Sequence, residues 1–112
     1  MTLLLRTLMF ASANEMKIGA RETLTDGVFT VYLRIGTKVQ LPDLVFLHIA
    51  DVRVEEGHRG RGIFTRYLDA LEQLRPLDGI AFYGVGNTRL EAHLVRRGYE
   101  LYDWNDYVKI WK

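Results

Sequence analysis

The hydrophobic positions of the chain repeat at two intervals, and the change from one to the other falls at Ile63. Upstream the pattern is that of strands. Residues 2–10 are strand-like, and residues 17–24 and 28–35, separated by Thr25-Asp26-Gly27, read as a β-hairpin. Residues 44–54, after a turn at Pro42 and Asp43, are almost continuously apolar, as expected of a central strand covered on both faces. Downstream, Ile63, Phe64, Tyr67, Leu68, Leu71 and Leu74 fall on one stripe of a 3.6-residue period. Thr65, Arg66, Asp69, Glu72 and Gln73 fall opposite, and Pro76 ends the run, which predicts an amphipathic helix.

A short strand follows at 80–85, and then a turn at Gly86-Asn87. Thr88 and Glu91 have capping-box spacing, Leu90 and Leu94 are four apart, and Gly98 stands where a left-handed C-terminal glycine belongs, so a second helix is expected over 88–97. Two closing strands, 99–103 and 107–111, flank a turn at 104–106. Between 44 and 85 the order is strand, glycine-rich loop, helix, strand. A right-handed crossover of that kind makes its two strands parallel.

Composition narrows the picture. At 112 residues the chain is expected to form one domain, 1–112, with room for a real core and little decoration. A net charge of +1 gives no overall pull toward nucleic acid or anionic membrane, so any electrostatic function is local. The absence of cysteine removes disulfides, thiolate metal sites and a cysteine nucleophile, and no metal site is expected. Ala11 and Ala13 have the A-x-A spacing of a signal-peptide cleavage site, but Arg6 interrupts the apolar run and no basic residue precedes it. The segment therefore reads as a first strand of a cytoplasmic protein, and no run is long enough to span a bilayer.

The candidate chemistry lies at the strand-to-helix junction, where Arg59-Gly60-Arg61-Gly62 stands directly before the helix. Glycines expose backbone N–H groups without a Cβ in the way, and the first helical turn carries unpaired N–H groups and partial positive charge. With two arginines added, the natural guest is a phosphate or pyrophosphate. The Gly-Lys-Ser/Thr ending of a Walker loop is missing, and the spacing is not that of a dinucleotide fingerprint.

The stretch from Val54 to Ile63, with Arg59-x-x-Gly62-x-Phe64 between strand and helix, resembles the acyl-CoA pyrophosphate loop of the GNAT superfamily of N-acyltransferases. Asn87 opening a helix that ends in Arg96-Arg97-Gly98-Tyr99 is similar to that family's downstream segment, and the resemblance covers residues 44–112. It implies an α/β (α+β) fold with a mixed central sheet and a strand–loop–helix–strand acyl-CoA core. The implied activity is transfer of an acyl group from acetyl-CoA, or another acyl-CoA, to a primary amine. Residue by residue, the backbone of Val52, Arg53 and Val54 would pair with the pantetheine arm, which enters where this strand splays from residues 80–85. Arg59, Gly60, Arg61, Gly62, Ile63 and Phe64 would hold the pyrophosphate, and Asn87 would lie near the thiol.

Three departures stand against the family pattern. Phe64 replaces the last small residue of the loop signature, and Leu94 occupies the position of the tyrosine that often protonates the leaving thiolate. The N-terminal helices are reduced, since residues 11–16 leave room for at most a turn or so, and the acceptor side is expected to be open, so that either a second copy of the chain in a homodimer completes it or the acceptor is a protein that brings its own surface. Direct transfer in a ternary complex is the available route, because no cysteine can carry the acyl group. His48 is the candidate general base, on a strand face expected to carry Phe46, Ala50, Val52 and Val54 as well. His58 and His93 read as solvated or helix-surface residues, Asp51 and Arg53 as an ion pair, and the closing aromatics Tyr99, Tyr102, Trp104, Tyr107 and Trp111 as core and edge residues. Two rivals remain: an inactive GNAT-like domain that binds a protein partner, and, more weakly, nucleic-acid binding through the loop arginines Arg59 and Arg61 with Arg66, Arg89, Arg96 and Arg97, whose neighbours include interleaved acids.

Overall fold

The computed structural model describes residues 2–58, 60, 62–102 and 105–111. These form three α-helices and one six-stranded mixed sheet, an α+β architecture: α1 (Leu3–Ala13), β1 (Arg21–Asp26), β2 (Phe29–Lys38), β3 (Leu41–Val54), α2 (Ile63–Leu74), β4 (Gly79–Phe82), α3 (Thr88–Arg96), β5 (Glu100–Tyr102) and β6 (Asp106–Ile110). The strand order is β1-β2-β3-β4-β6-β5. The β3–β4 pair is parallel, as the crossover through α2 predicts, and all other pairs are antiparallel. Asp103 and Trp104, part of the expected closing strand and turn, lie outside the described residues.

The first element corrects the sequence expectation, because residues 3–13 are a helix and not a strand. Leu3, Thr7, Phe10 and Ala11 are its buried residues, spaced i, i+4, i+7 and i+8. The Thr2 side chain accepts from the Leu5 N–H at 3.2 Å and caps the start. Exposed Leu5 and Met9 fill the polar side of the wheel with apolar residues, which hides the helical period in the sequence. Among the described residues a helix, and no strand, therefore precedes β1. Thr7 anchors this helix to α2 through a 2.8 Å hydrogen bond between its hydroxyl and that of Tyr67.

All three helices pack on one face of the sheet. Leu3 and Phe10 of α1, Tyr67, Leu68 and Leu71 of α2, and Leu94 of α3 share one cluster with Val31, Leu33 and Ile35 of β2 and Leu47 and Ile49 of β3. The opposite face holds a small cluster around Phe46, Ala81 and Val108 and, among the described residues, carries no helix. Gly79 permits the close approach of β4 to β6, since a Cβ there would stand 2.2 Å from the Lys109 carbonyl oxygen. Among the described residues no helix is long and apolar enough to cross a membrane.

Candidate functional site

β3 and β4 pair over only three residue pairs, Leu47 with Ile80, His48 with Ala81 and Ile49 with Phe82. Beyond them the two strands part. At the same point β3 carries a bulge: Leu33 pairs with Ile49 and Tyr32 with Asp51, so Ala50 has no residue opposite. The extra residue reverses the alternation of side chains. Leu47 and Ile49 face the helices before the bulge, and Val52 and Val54 face them after it. His48 therefore does not share a face with Val52 and Val54, as strict alternation had predicted; it shares one with Asp51 and Arg53.

The parting strands enclose a cleft of about 230 Å³, lined by residues 49–52 of β3, by Phe82 at the end of β4 and residues 83–87 after it, and by Leu90. Asn87 and Leu90 also line a wider cavity of about 440 Å³, together with Gly60, Phe64, Thr65, Arg89, His93 and Arg96. Gly60, Phe64 and Thr65 in turn border a third cavity of about 200 Å³ with Val54, His58, Gly62 and Ile63. The three share lining residues, Asn87 and Leu90 between the first two and Gly60, Phe64 and Thr65 between the last two, and taken in that order they form a track of neighbouring cavities from the strand parting to the N-terminus of α2.

The far end of the track suits an anion. Gly62 is the N-cap of α2 at φ 74°, without a side-chain cap, so the first-turn N–H groups from Ile63 onward meet no side-chain acceptor from that position. Gly60 has φ 80°, and a Cβ there would meet nothing within 4 Å. Of the expected loop residues, Arg59 and Arg61 lie outside the described residues. Three other arginines are near: Arg66 reaches back so that its Nη1 lies 3.2 Å from the Cβ position of Gly62, and Arg89 and Arg96 line the wide cavity. Arg97 is used otherwise, in ion pairs with Glu72 and Asp69 of α2.

Asn87, and not Thr88, caps α3: its Oδ1 accepts from the N–H groups of Arg89 at 2.9 Å and Leu90 at 3.1 Å. Glu91 accepts a hydrogen bond from the Tyr107 hydroxyl instead of closing a capping box. The helix ends in a Schellman motif, with Tyr99 N–H on the Leu94 carbonyl, Gly98 N–H on that of Val95, and Gly98 at φ 94°. Leu94 is fully buried and does not line the track. The Asp51 carboxylate accepts from Val52 N–H at 2.8 Å and pairs with Arg53 at 3.1 Å, so a ligand that sought the Val52 N–H would compete with Asp51.

His48 is almost fully buried on the helix-free face, between the rings of Tyr83 at 5.3 Å and Phe46 at 6.4 Å, and does not line the cleft. Its pKa is lowered to about 4, first by burial and then by the charges of Arg34 and Lys38; the Gly36 backbone and Asp106 oppose with smaller effect. His93, read as a solvated or helix-surface residue, is a half-buried residue of α3 that borders the track. Its ring lies 6.0 Å from that of Phe64, its Nε2 is buried without a hydrogen-bond partner, and burial, followed by the charges of Arg97 and Arg96, lowers its pKa. The signal for it was present in the spacing, since Arg89, His93 and Arg96 follow one another at four and three residues along one helix face.

Among the described residues no group of acidic and histidine side chains is placed to hold a metal ion. No protein-family model and no curated protein sequence matches the chain.

Proposed function

We propose that the chain is an acyl-CoA-dependent N-acyltransferase of the GNAT kind, which transfers the acyl group of acetyl-CoA, or another acyl-CoA, directly to a primary amine on a protein. The observation that carries this reading is the parting of β3 from β4 at the Ala50 bulge, from which three neighbouring cavities with shared lining residues follow one another to the glycine-rich N-terminus of α2. An extended arm with an anionic end matches that shape. The pantetheine would lie along residues 50–54 with the thioester beside Ala50 and Asn87, and the pyrophosphate would sit at Gly60–Phe64, where the first-turn amides of α2 are directed. Arg66, Arg89 and Arg96 supply charge for the phosphates.

Acetyl-CoA tests this. Bound at a hundred times its dissociation constant it should stabilise the fold by about 2.7 kcal/mol, read as a rise in Tm. Gly62→Asp should abolish the rise, by placing a carboxylate at the phosphates, and Arg89→Gln with Arg96→Gln should weaken it while leaving the free protein folded. An unchanged Tm of the wild type in millimolar acetyl-CoA would end the assignment.

A second reading is favoured by specific side chains. His48 faces away from the cleft and Leu94 is sealed in the core, so neither a base nor an acid at those two positions reaches a thioester in the cleft. A domain that binds acyl-CoA or a protein partner without transferring the acyl group fits these two facts. Ligand-induced stabilisation with no acyl transfer to a lysate protein is the outcome that would select it.

A further inference from the structure

The helix-free face of the sheet holds a separate groove of about 320 Å³, lined by Arg21 to Thr23 on β1, Tyr32 to Arg34 on β2, and Ala50 on β3. Ala50 also lines the cleft between β3 and β4, and it is the bulged residue. A second contact joins the two spaces: the Arg34 guanidinium lies 4.5 Å from the ring centroid of Tyr83, and Tyr83 lines the cleft. The groove and the cleft are thus neighbours on either side of one strand.

The lining holds two arginines and one acid, Glu22, and the arginines prevail on the helix-free face. Arg21, opposite Arg34 in the β1–β2 register, shares its face, whereas Glu22 falls on the side of Leu24, which is buried beneath the helices. Neither Arg21 nor Arg34 has a carboxylate partner among the described residues, while Arg53 and Lys38 on the same face are paired with Asp51 and Asp106. Two unneutralised guanidinium groups beside an aromatic floor match a carboxylate. Every lining residue comes from the three strands of the floor, so the groove is open above, and an extended chain lying across it makes more contacts than a small amine.

We propose that this groove receives the acceptor, a polypeptide segment in which the reactive amine is flanked by an acidic side chain. The carboxylate is held by Arg34 and Arg21, and the amine reaches past Ala50 to the thioester. The amine lone pair forms the N–C bond, the C–S bond breaks with its electron pair on sulfur, and the proton lost by the amine balances the departing thiolate. This assignment rests on the acyl-transfer reading for the reaction, but not for the binding.

The test uses blocked heptapeptides with a central lysine flanked by glutamate or by glutamine, titrated into the free protein by NMR and then assayed with acetyl-CoA. The glutamate peptide should bind about tenfold more tightly or better, moving the Ala50 amide and the arginine side-chain signals. Arg34→Gln should erase the preference, and so should Arg21→Gln, which lies on an exposed edge strand and is safe for folding. Acetyl-CoA affinity should be unchanged in both. Equal binding of the two peptides, or a preference that survives both substitutions, overturns the proposal. Free glutamate competing as well as the peptide overturns the polypeptide class. An arginine-dependent glutamate preference in a protein that binds no acetyl-CoA upholds the carboxylate site and removes the acyl-transfer reading alone.

Discussion

Burial governs His48 more than any one neighbour does. Neither ring nitrogen meets a hydrogen-bond partner of good geometry among the described residues, and the charged groups that face it, Arg34 and Lys38 from β2 and Asp106 from β6, include two cations and one anion. With a folded pKa of about 4 against 6.5 for the free side chain, the unfolded chain binds the extra proton first as pH falls. The stability associated with neutral His48 is therefore fully present above pH 6.5 and is lost progressively as pH falls toward 4, to a total of about 3 kcal/mol. Denaturant titrations between pH 7 and 4 should show that slope, and His48→Gln should remove most of it, leaving the smaller contribution of His93, whose shift has the same sign. An equal slope in the variant would show that the histidine is hydrated in solution. The sequence made His48 conspicuous as a titratable group on an apolar strand but could not show which way it faces. That depends on Ala50, a residue with no pattern of its own to betray a bulge.

Elements with a clean period were legible. The α2 stripe from Ile63 to Leu74, the hairpin turn at Asp26-Gly27 and the apolar run of β3 all lie where their spacing put them, to within a few residues. The failures have local causes. In α1, Leu5 and Met9 are apolar yet about half exposed, so the run looked uniformly hydrophobic and read as a strand. In α3, two adjacent residues can each cap, and Asn87 prevails over Thr88 because its carboxamide oxygen reaches two N–H groups at once. This cap is separable from any ligand role of the same residue. Asn87→Ala should cost about 1 kcal/mol of stability, whereas Asn87→Ser should restore most of that loss because it retains a capping oxygen. If acyl-CoA affinity falls in both variants while stability falls only in the first, the carboxamide contacts the ligand. A loss of affinity that tracks stability alone would confine Asn87 to the cap.

At the scale of the whole molecule, topology assembles what the sequence scattered. Arg89, Arg96 and His93 looked like surface residues of a late helix, and only the crossover of α3 brings them beside Gly60 and Phe64. The sheet itself is two units: an antiparallel meander of β1, β2 and β3, and a second set of β4, β6 and β5, joined at three residue pairs. Off the sheet, Lys38 and Asp106 form a part-buried ion pair between β2 and β6, and Asp106 also accepts from the Gly84 N–H at 2.8 Å. A seam of three pairs has little redundancy. The Tyr83 N–H, which donates across it to the Ile49 carbonyl at 3.4 Å, should exchange with deuterium through openings that leave the meander intact, faster than the amides of Val31 to Ile35. A ligand lodged along the parted strands would act as a missing rung between the two units, so acetyl-CoA should slow exchange at the seam more than in the meander. In that case the weakest line of the fold would report occupancy, and the free protein would breathe along the track that the ligand enters.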